Sequence, residues 1–359
     1  MAEGALAGKT ILLLPRYTPT GPSSRLRMNQ FVPMLEAAGA SVTSAPFYDE
    51  AYLRGYFAGK GQSLLGGGRA LVARMARLAT VRADVAWVER ELFPFLPGVF
   101  ERALRARGIP YVVDMDDAVF HRYDAHPNAV VRGVLGGKFD GLLRGAAAVT
   151  PGNAYLADYM RAHGAARVEE VPTVVDPSRY PLTTPPAGER LRLGWIGTPA
   201  NARYLEVVAD ALRLLREAVP ATLVTVGAPA IPDLPVPQEA HDWSEATEGA
   251  LLAGIDVGVM PLADNSYERG KCGYKLIQYM AAGRATIGSP VGVNADIVTA
   301  ETGLLATSAA EWAAAILALW RDPARRAAMG LAGRRRVEEH YSIEAVGPRL
   351  VSLFAEVCR

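Results

Sequence analysis

The sequence predicts an α/β protein built from two doubly wound halves in tandem. Three observations point there. Short apolar runs alternate with helical patterns along most of the chain, which implies parallel sheets with helices on both faces. A proline-rich break, DPSRYPLTTPPAGER at 176–190, has four prolines and no hydrophobic period, and reads as a linker. The total of 359 residues is enough for two domains of ordinary size, one on each side of that break.

In the first half the candidate strands are Thr10–Leu14, Ser41–Ala45, Val85–Val88, Tyr111–Val113 and Ala147–Thr150. The candidate helices run over about 25–38, 70–79, 99–107, 130–143 and 153–161. In the second half the strands LRLGWIG, TLVTVG, DVGVMPL, RATIGS and TGLLAT alternate with helices near 201–217, 244–253, 273–282 and 309–320. One further strand is expected just before Trp243. No repeat of 20–50 residues is visible beyond this duplication.

Composition narrows the functional classes. Half the residues are apolar and 21% are charged, as in a globular protein. A net charge of +1 gives no bulk argument for nucleic acid. Cys272 and Cys358 are the two cysteines, which is no disulfide framework, so a reducing, cytoplasmic setting is the expectation. The first residues, MAEGALAGKT, lack a basic region before an apolar run, and no apolar stretch reaches 18 residues. Five scattered histidines and two cysteines offer no metal-ligand spacing, so no metal and no cofactor is expected.

The most informative stretch is ERGKCGYKLIQYMAAGRATIGSPVGVN, residues 268–294. A loop carries Lys271, Cys272 and Gly273, and a helix follows from about residue 273 to 282. Gly283 ends it as a C′ glycine does. Lys271, Lys275 and Gln278 stand at i, i+4 and i+7 and are expected on one face, with Leu276, Ile277 and Met280 on the other. Two lysines at a helix start oppose the helix dipole by roughly 0.3–1 kcal/mol each. The placement makes sense either as an exposed turn or as a site where an anion such as phosphate meets the helix N-terminus.

This stretch resembles the donor-site segment of GT-B glycosyltransferases of the GT4 type, retaining enzymes that use nucleotide-activated sugars. The resemblance follows the order of elements through nearly the whole chain, with specific motifs in the C-terminal half. It implies two Rossmann-like domains facing a central cleft, here 1–180 for the acceptor and 190–340 for the donor. It also implies a C-terminal helix, 341–359, that returns to the first domain. In that family two glutamates eight positions apart precede a Met-Ala-x-Gly helix end. Aligned on Met280–Gly283, these positions hold Gly270 and Gln278, so the chain departs from the pattern at both. An amide at Gln278 can still bond ribose hydroxyls. The sugar-binding role passes to Glu268 or to backbone N–H groups near Lys271, Cys272 and Gly273.

The same resemblance assigns expectations elsewhere. In LLPRYTPTGPSSRLR, Gly21 would let backbone approach the donor phosphate, with Arg25 or Arg27 as charge. In WIGTPANARYLE the family's arginine after Gly197 is replaced by Thr198, and Arg203 is the nearby cation. Lys275 and Lys271 would then supply charge from the other side. Gly227 and Trp243 would line the nucleotide pocket, the indole by stacking on the base. Asp116 and Asp117 in YVVDMDDAVFHRYD fall where relatives carry a polar residue near sugar and acceptor, with His121 as a weaker candidate. Residues 60–83 hold Lys60, Arg69, Arg74, Arg77 and Arg82 and no acid, with Leu71, Met75 and Leu78 at helical spacing. That basic amphipathic pattern suits either a solvated face or peripheral contact with anionic membrane over 69–82. The expected activity is transfer of a sugar from a nucleotide diphosphate to a glycan, lipid-linked or small-molecule acceptor. The alternatives are a nucleotide-sugar 2-epimerase of the same fold and a non-catalytic nucleotide-sugar-binding partner.

Overall fold

The computed structural model describes residues 4–57, 64–183, 188–215 and 218–359, so Lys60 lies outside the described residues. The chain divides into two units. One comprises Met1–Thr173 with Val346–Arg359, the other Val174–Ala345.

The first unit is built on strands β1 (Thr10–Leu14), β2 (Ser41–Ser44), β3 (Val85–Glu89), β4 (Tyr111–Met115) and β5 (Ala148–Pro151). All pair in parallel, in the order β2-β1-β3-β4-β5. The central strands are buried end to end because helices cover both faces, and they therefore read as continuous apolar runs. Several expected helices are broken where the chemistry requires it. The one expected over 25–38 divides into α1 (Pro22–Arg27), a 3₁₀ turn and α2 (Val32–Ala37), and Pro33 at the start of α2 cannot donate to the preceding turn. After α2 come α3 (Glu50–Phe57), which the sequence pattern did not announce, and α4 (Leu64–Thr80). The 99–107 helix shortens to a 3₁₀ turn and α5 (Ala103–Ala106). Gly136 and Gly137 split the 130–143 helix into α6 (Ala129–Leu135) and α7 (Lys138–Gly145). Helix α8 (Ala154–Ala162) follows β5, capped by the Asn153 side chain on the Leu156 N–H.

The second unit holds β6 (Leu191–Ile196), β7 (Ala221–Val226), β8 (Gln238–His241), β9 (Val257–Met260), β10 (Ala285–Gly288) and β11 (Gly303–Leu305). These pair in parallel in the order β11-β10-β9-β6-β7-β8. A 3₁₀ segment, Pro199–Leu205, leads into α9 (Glu206–Leu215). Helices α10 (Glu248–Ala253), α11 (Ser266–Arg269), α12 (Tyr274–Ala281), α13 (Asn294–Ile297), α14 (Ala309–Arg321) and α15 (Pro323–His340) complete it. One face of the sheet buries Trp195, Leu212, Val259, Ile287 and Trp312, while the other packs Tyr279, Ile277 and Met280 of α12.

The last helix, α16 (Ile343–Val357), begins beside a parallel bridge between Val175 and Ser342. Its residues from Val346 onward belong to the first unit. Phe354 is fully buried with its ring centroid 5.1 Å from that of Trp87. A Cβ on Gly347 would lie 2.2 Å from the Met34 sulfur, so the Met34 side chain of α2 rests directly on this glycine.

Candidate functional site

Ligand sites in open parallel sheets lie beyond the carboxyl ends of the strands. In the second unit, Gly197 directly follows β6 and Gly227, with φ +86°, directly follows β7. A Cβ on Gly227 would fall 2.8 Å from the Gly197 carbonyl oxygen and 3.2 Å from the Trp243 Cβ. A Cβ on Gly197 would meet the Trp195 ring at 2.7 Å and the Lys275 Cε at 3.1 Å. Gly197, Gly227, Trp243 and Lys275 therefore converge on one spot. Bare backbone is the only surface that fits there. Lys275 is the second residue of α12, half-buried, with Nζ 5.6 Å from the centroid of the Trp195 ring.

The turn into α12 is fixed by glycine. Gly273 is its N-cap, with φ +64°, and a Cβ there would strike the Ile297 side chain at 2.2 Å. Gly292 closes the same turn from the far side, against the Arg269 carbonyl. Lys271 precedes this cap, so it does not share a helix face with Lys275 and Gln278, as its i, i+4 spacing suggested. It leans instead on Glu268, Nζ to Oε2 3.6 Å. Cys272 is buried, its thiol 3.9 Å from the Gly270 carbonyl.

Glu268 stands two residues before Gly270, the first altered acidic position, and it is 4% exposed. Asn265 caps its short helix, accepting from the Tyr267 and Glu268 N–H groups at 3.1 and 3.0 Å. The Tyr204 hydroxyl donates to Glu268 Oε1, and the exposed Arg203 donates to that same hydroxyl at 2.9 Å. Arg203, Tyr204, Glu268 and Lys271 thus form one chain of contacts. Burial and the neighbouring Glu268 raise the Tyr204 pKa, which keeps it a donor. Tyr204 is a member of this cluster that the sequence reading missed. Thr198 sits at the head of this segment, exposed, and accepts from Asn201 at 3.3 Å.

Gln278 is 2% exposed and is turned inward. Its Nε2 donates to the Tyr180 hydroxyl at 3.0 Å, and Tyr180 donates to Glu248 Oε1 at 3.1 Å. Trp243 Nε1 donates to Glu248 Oε2 at 2.7 Å. One of the two amide N–H donors of Gln278 is thereby used within the protein. Glu248 and Tyr180, distant in sequence, orient Trp243 and were invisible to motif reading.

In the first unit the strand order reverses direction at β1 and β3, and the loops after these strands carry dense charge. Arg90, directly after β3, has φ +63°, a strained value for a residue with a side chain. Its guanidinium donates to Asp116 at 2.7 and 2.8 Å, to Asp117 at 3.0 Å and to Ser23 at 2.8 Å. Burial alone would raise the Asp116 pKa, but the Arg90 charge overrides it and holds the carboxyl below its ordinary value. Asp116 and Asp117 are thus brought together. His121 is engaged elsewhere, with Nδ1 2.8 Å from Asp124 and Nε2 2.8 Å from the Tyr155 hydroxyl.

The expected basic groups near Gly21 behave differently from a phosphate grip. Arg27 is 2% exposed and pairs with Asp114 through two bonds of 2.9 and 2.8 Å, so it props the loop from beneath. Arg25 is also buried. A Cβ on Gly21 would fall 2.4 Å from the Tyr17 Cβ, so the tight turn itself requires the glycine. Arg74 is no part of the basic face of α4 either. It is 3% exposed and donates to the Pro15 and Ala45 carbonyls at 3.1 and 3.0 Å. Met75 points outward, with Leu65 and Val72 beside the exposed Arg69 and Arg77. Among the described residues no group of three or more His, Cys, Asp or Glu is placed to hold a metal, and no helix is long and apolar enough to cross a membrane.

Comparison with known proteins fits this geometry. Residues 190–322 match the family model described as glycosyl transferases group 1. No curated protein sequence matches the chain significantly. Among solved structures, the sucrose-phosphate synthase of Thermosynechococcus elongatus superposes with a TM-score of 0.73 at 16% identity, over 97% of this chain and 99% of that one. HepE of Anabaena, solved in complex with UDP, gives 0.72 at 15% identity, over 97% and 100%. The α,α-trehalose 6-phosphate synthase of Burkholderia multivorans gives 0.64 at 14% identity, over 97% and 98%. The chain has the GT-B fold of two Rossmann-like units, and it resembles the group 1, or GT4-type, glycosyltransferases.

Proposed function

We propose that this protein is a glycosyltransferase that moves a sugar from a nucleotide diphosphate to an acceptor hydroxyl, with retention at the anomeric carbon and without a metal. The observation that carries this reading is the convergence of Gly197, Gly227, Trp243 and Lys275 at the strand ends of the 190–322 segment. Bare glycine backbone admits a diphosphate, Lys275 and the α12 N–H groups meet its charge, and the Trp243 ring covers the base. Solved HepE complexes hold UDP and UDP-glucose, which supports a nucleotide-sugar donor here. Glu268, fixed by Tyr204, takes the sugar-hydroxyl role left open at Gly270.

In this reading the bond from the anomeric carbon to the diphosphate breaks as the acceptor oxygen bonds to the same carbon. Negative charge grows on the departing phosphate, where preorganised cations and N–H groups stabilise it most. The acceptor proton leaves with that phosphate oxygen. Asp116, whose carboxyl Arg90 holds below its ordinary pKa, or Asp117 beside it orients the acceptor hydroxyl. Misplacement of about 1 Å costs about a hundredfold in rate.

The test is a thermal-shift screen of nucleotide sugars, followed by turnover of the best donor. A ligand that binds only the folded state raises the melting temperature by mass action. Asp116→Asn or Asp117→Asn should cut turnover by about a hundredfold with donor affinity retained and no effect of chelator. Normal turnover in both would move the acceptor site elsewhere. Inactivation by chelator would make the acids a metal site. Donor conversion without acceptor would identify an epimerase, and binding without any conversion would identify a non-catalytic partner.

We infer in addition that α4 rests on anionic membrane. Exposed Leu65, Val72 and Met75 stand beside the exposed Arg69 and Arg77, and apolar side chains interleaved with cations suit a lipid interface. Sedimentation with anionic vesicles that is lost at high salt is expected. Equal sedimentation with neutral vesicles would remove the electrostatic contribution.

A further inference from the structure

The amino ends of the second unit's strands carry a separate concave site. Arg190 directly precedes β6, Asp256 precedes β9 and Arg284 precedes β10. With Arg326 and the apolar Trp320 and Leu331, they line a half-open pocket of about 540 Å³. That volume lies within the range of small-molecule sites. Gly197 and Gly227 follow the other ends of the strands. The six-residue β6 separates the two places by about 20 Å at 3.3 Å per residue.

The charge of this pocket is unbalanced. Three guanidinium groups face one carboxylate, and that carboxylate is already engaged. Asp256 accepts from the Arg192 backbone N–H at 2.8 Å and lies 3.5 Å from Arg326. Arg284 is 3% exposed. It donates to the carbonyl and hydroxyl of Thr183, while its Nε is buried without a hydrogen-bond partner among the described residues. Burial lowers its pKa, which is the mark of a cation that lacks enough negative charge nearby. A structural role would be served by a neutral side chain at lower cost, since burying a charge without full pairing is unfavourable. A dianion in the pocket would balance the two excess charges, and arginine forks match phosphate oxygens. Trp320 and the exposed Leu331 offer apolar surface beside them.

We propose that this pocket binds a small phosphomonoester with an apolar or aromatic body, its phosphate held by Arg190, Arg284 and Arg326 and its body laid against Trp320 and Leu331. The site is distinct from the nucleotide-sugar site and does not depend on that assignment. The probe is phenyl phosphate, titrated into the full chain by calorimetry and tryptophan fluorescence with saturating UDP present. The expected result is saturable binding that survives UDP and is stronger than that of inorganic phosphate. Arg190→Ala and Arg326→Ala should each weaken it about tenfold or more. Arg190 is exposed, so its substitution leaves the fold intact. Trp320→Phe should abolish the fluorescence change. No saturable binding in the presence of UDP would overturn the proposal. So would unchanged affinity in both arginine variants, with folding confirmed by circular dichroism.

Discussion

The strand-end loops of the first unit carry charges matched among themselves, whereas those of the second unit are shaped by missing side chains. In the first, Arg16 pairs with Glu91 at 2.9 Å, Lys138 with Glu91 and Glu101 at 3.1 and 2.9 Å, and Arg90 with Asp116 and Asp117. All but the two aspartates have side chains less than a tenth exposed. In the second, Gly197, Gly227 and Gly273 set the surface, and the Lys271–Glu268 pair near them is long at 3.6 Å. The difference separates two ways of presenting charge. A buried ionic lattice fixes carboxylates in place and ties function to stability. A glycine floor leaves its shape to backbone, so a change there acts on binding before it acts on folding.

The largest effect that tests this contrast is Arg90→Met. It leaves Asp116 and Asp117 without their guanidinium, and breaking a buried pair from one side costs about 3–5 kcal/mol. Urea unfolding should show a loss of that order, and the Asp116 pKa should rise. A loss below about 1 kcal/mol would mean that the lattice is ornamental to stability and erase the contrast. Next is Lys275→Ala in the second unit. UDP or GDP affinity should fall at least about tenfold, or 1.4 kcal/mol, with the urea midpoint unchanged. Unchanged affinity by calorimetry would take Lys275 out of the donor site, and Lys271→Ala should act in the same direction more weakly.

The smallest effect sharpens the picture of the first unit alone. Burial raises the pKa of Glu89, whose Oε2 accepts from the Arg16 N–H at 2.7 Å and from the Ser24 hydroxyl, while Oε1 has no partner. The folded state therefore holds this proton more tightly than the unfolded chain. Its stability contribution is present at low pH and is lost as pH rises through the raised folded value. Glu89→Gln cannot ionise, so it should lose less stability than the wild type as pH rises above the ordinary glutamate pKa of about 4.3. Parallel stability profiles for the two proteins over that rise would remove Glu89 as a source of pH dependence.

The parts of this architecture that were legible in the sequence share one property. They follow from local pattern. Strand β1 is Thr10–Leu14 as read, and the stop at Gly283 is a positive-φ glycine at +70°. The misreadings concern residues whose role is set by distant partners. Arg27 and Arg74 look like surface charge, yet each is buried against carbonyls or a carboxylate from other elements. Tyr204 lies beside the candidate Arg203, but only the fold brings Glu268 to its hydroxyl, 64 positions away. Glu248 and Tyr180 reach Trp243 and Gln278 in the same way. A single sequence shows the period of a helix and the glycine of a turn, whereas a polar network is closed by topology.

The return of α16 to the first unit has a consequence for the order of assembly. Residues 174–345 form a contiguous unit and can fold as soon as they are made. The first unit is discontinuous, because its core takes Leu350, Leu353 and Phe354 from the segment that follows residue 345. Until those residues leave the ribosome, the Trp87 face has no partner at Phe354, and an apolar surface waits through the synthesis of the whole second unit. Contacts of such long sequence separation form slowly. An exposed core of this kind is where aggregation of a nascent chain begins. Folding in vivo should therefore finish with the first unit, although it is the first to be translated.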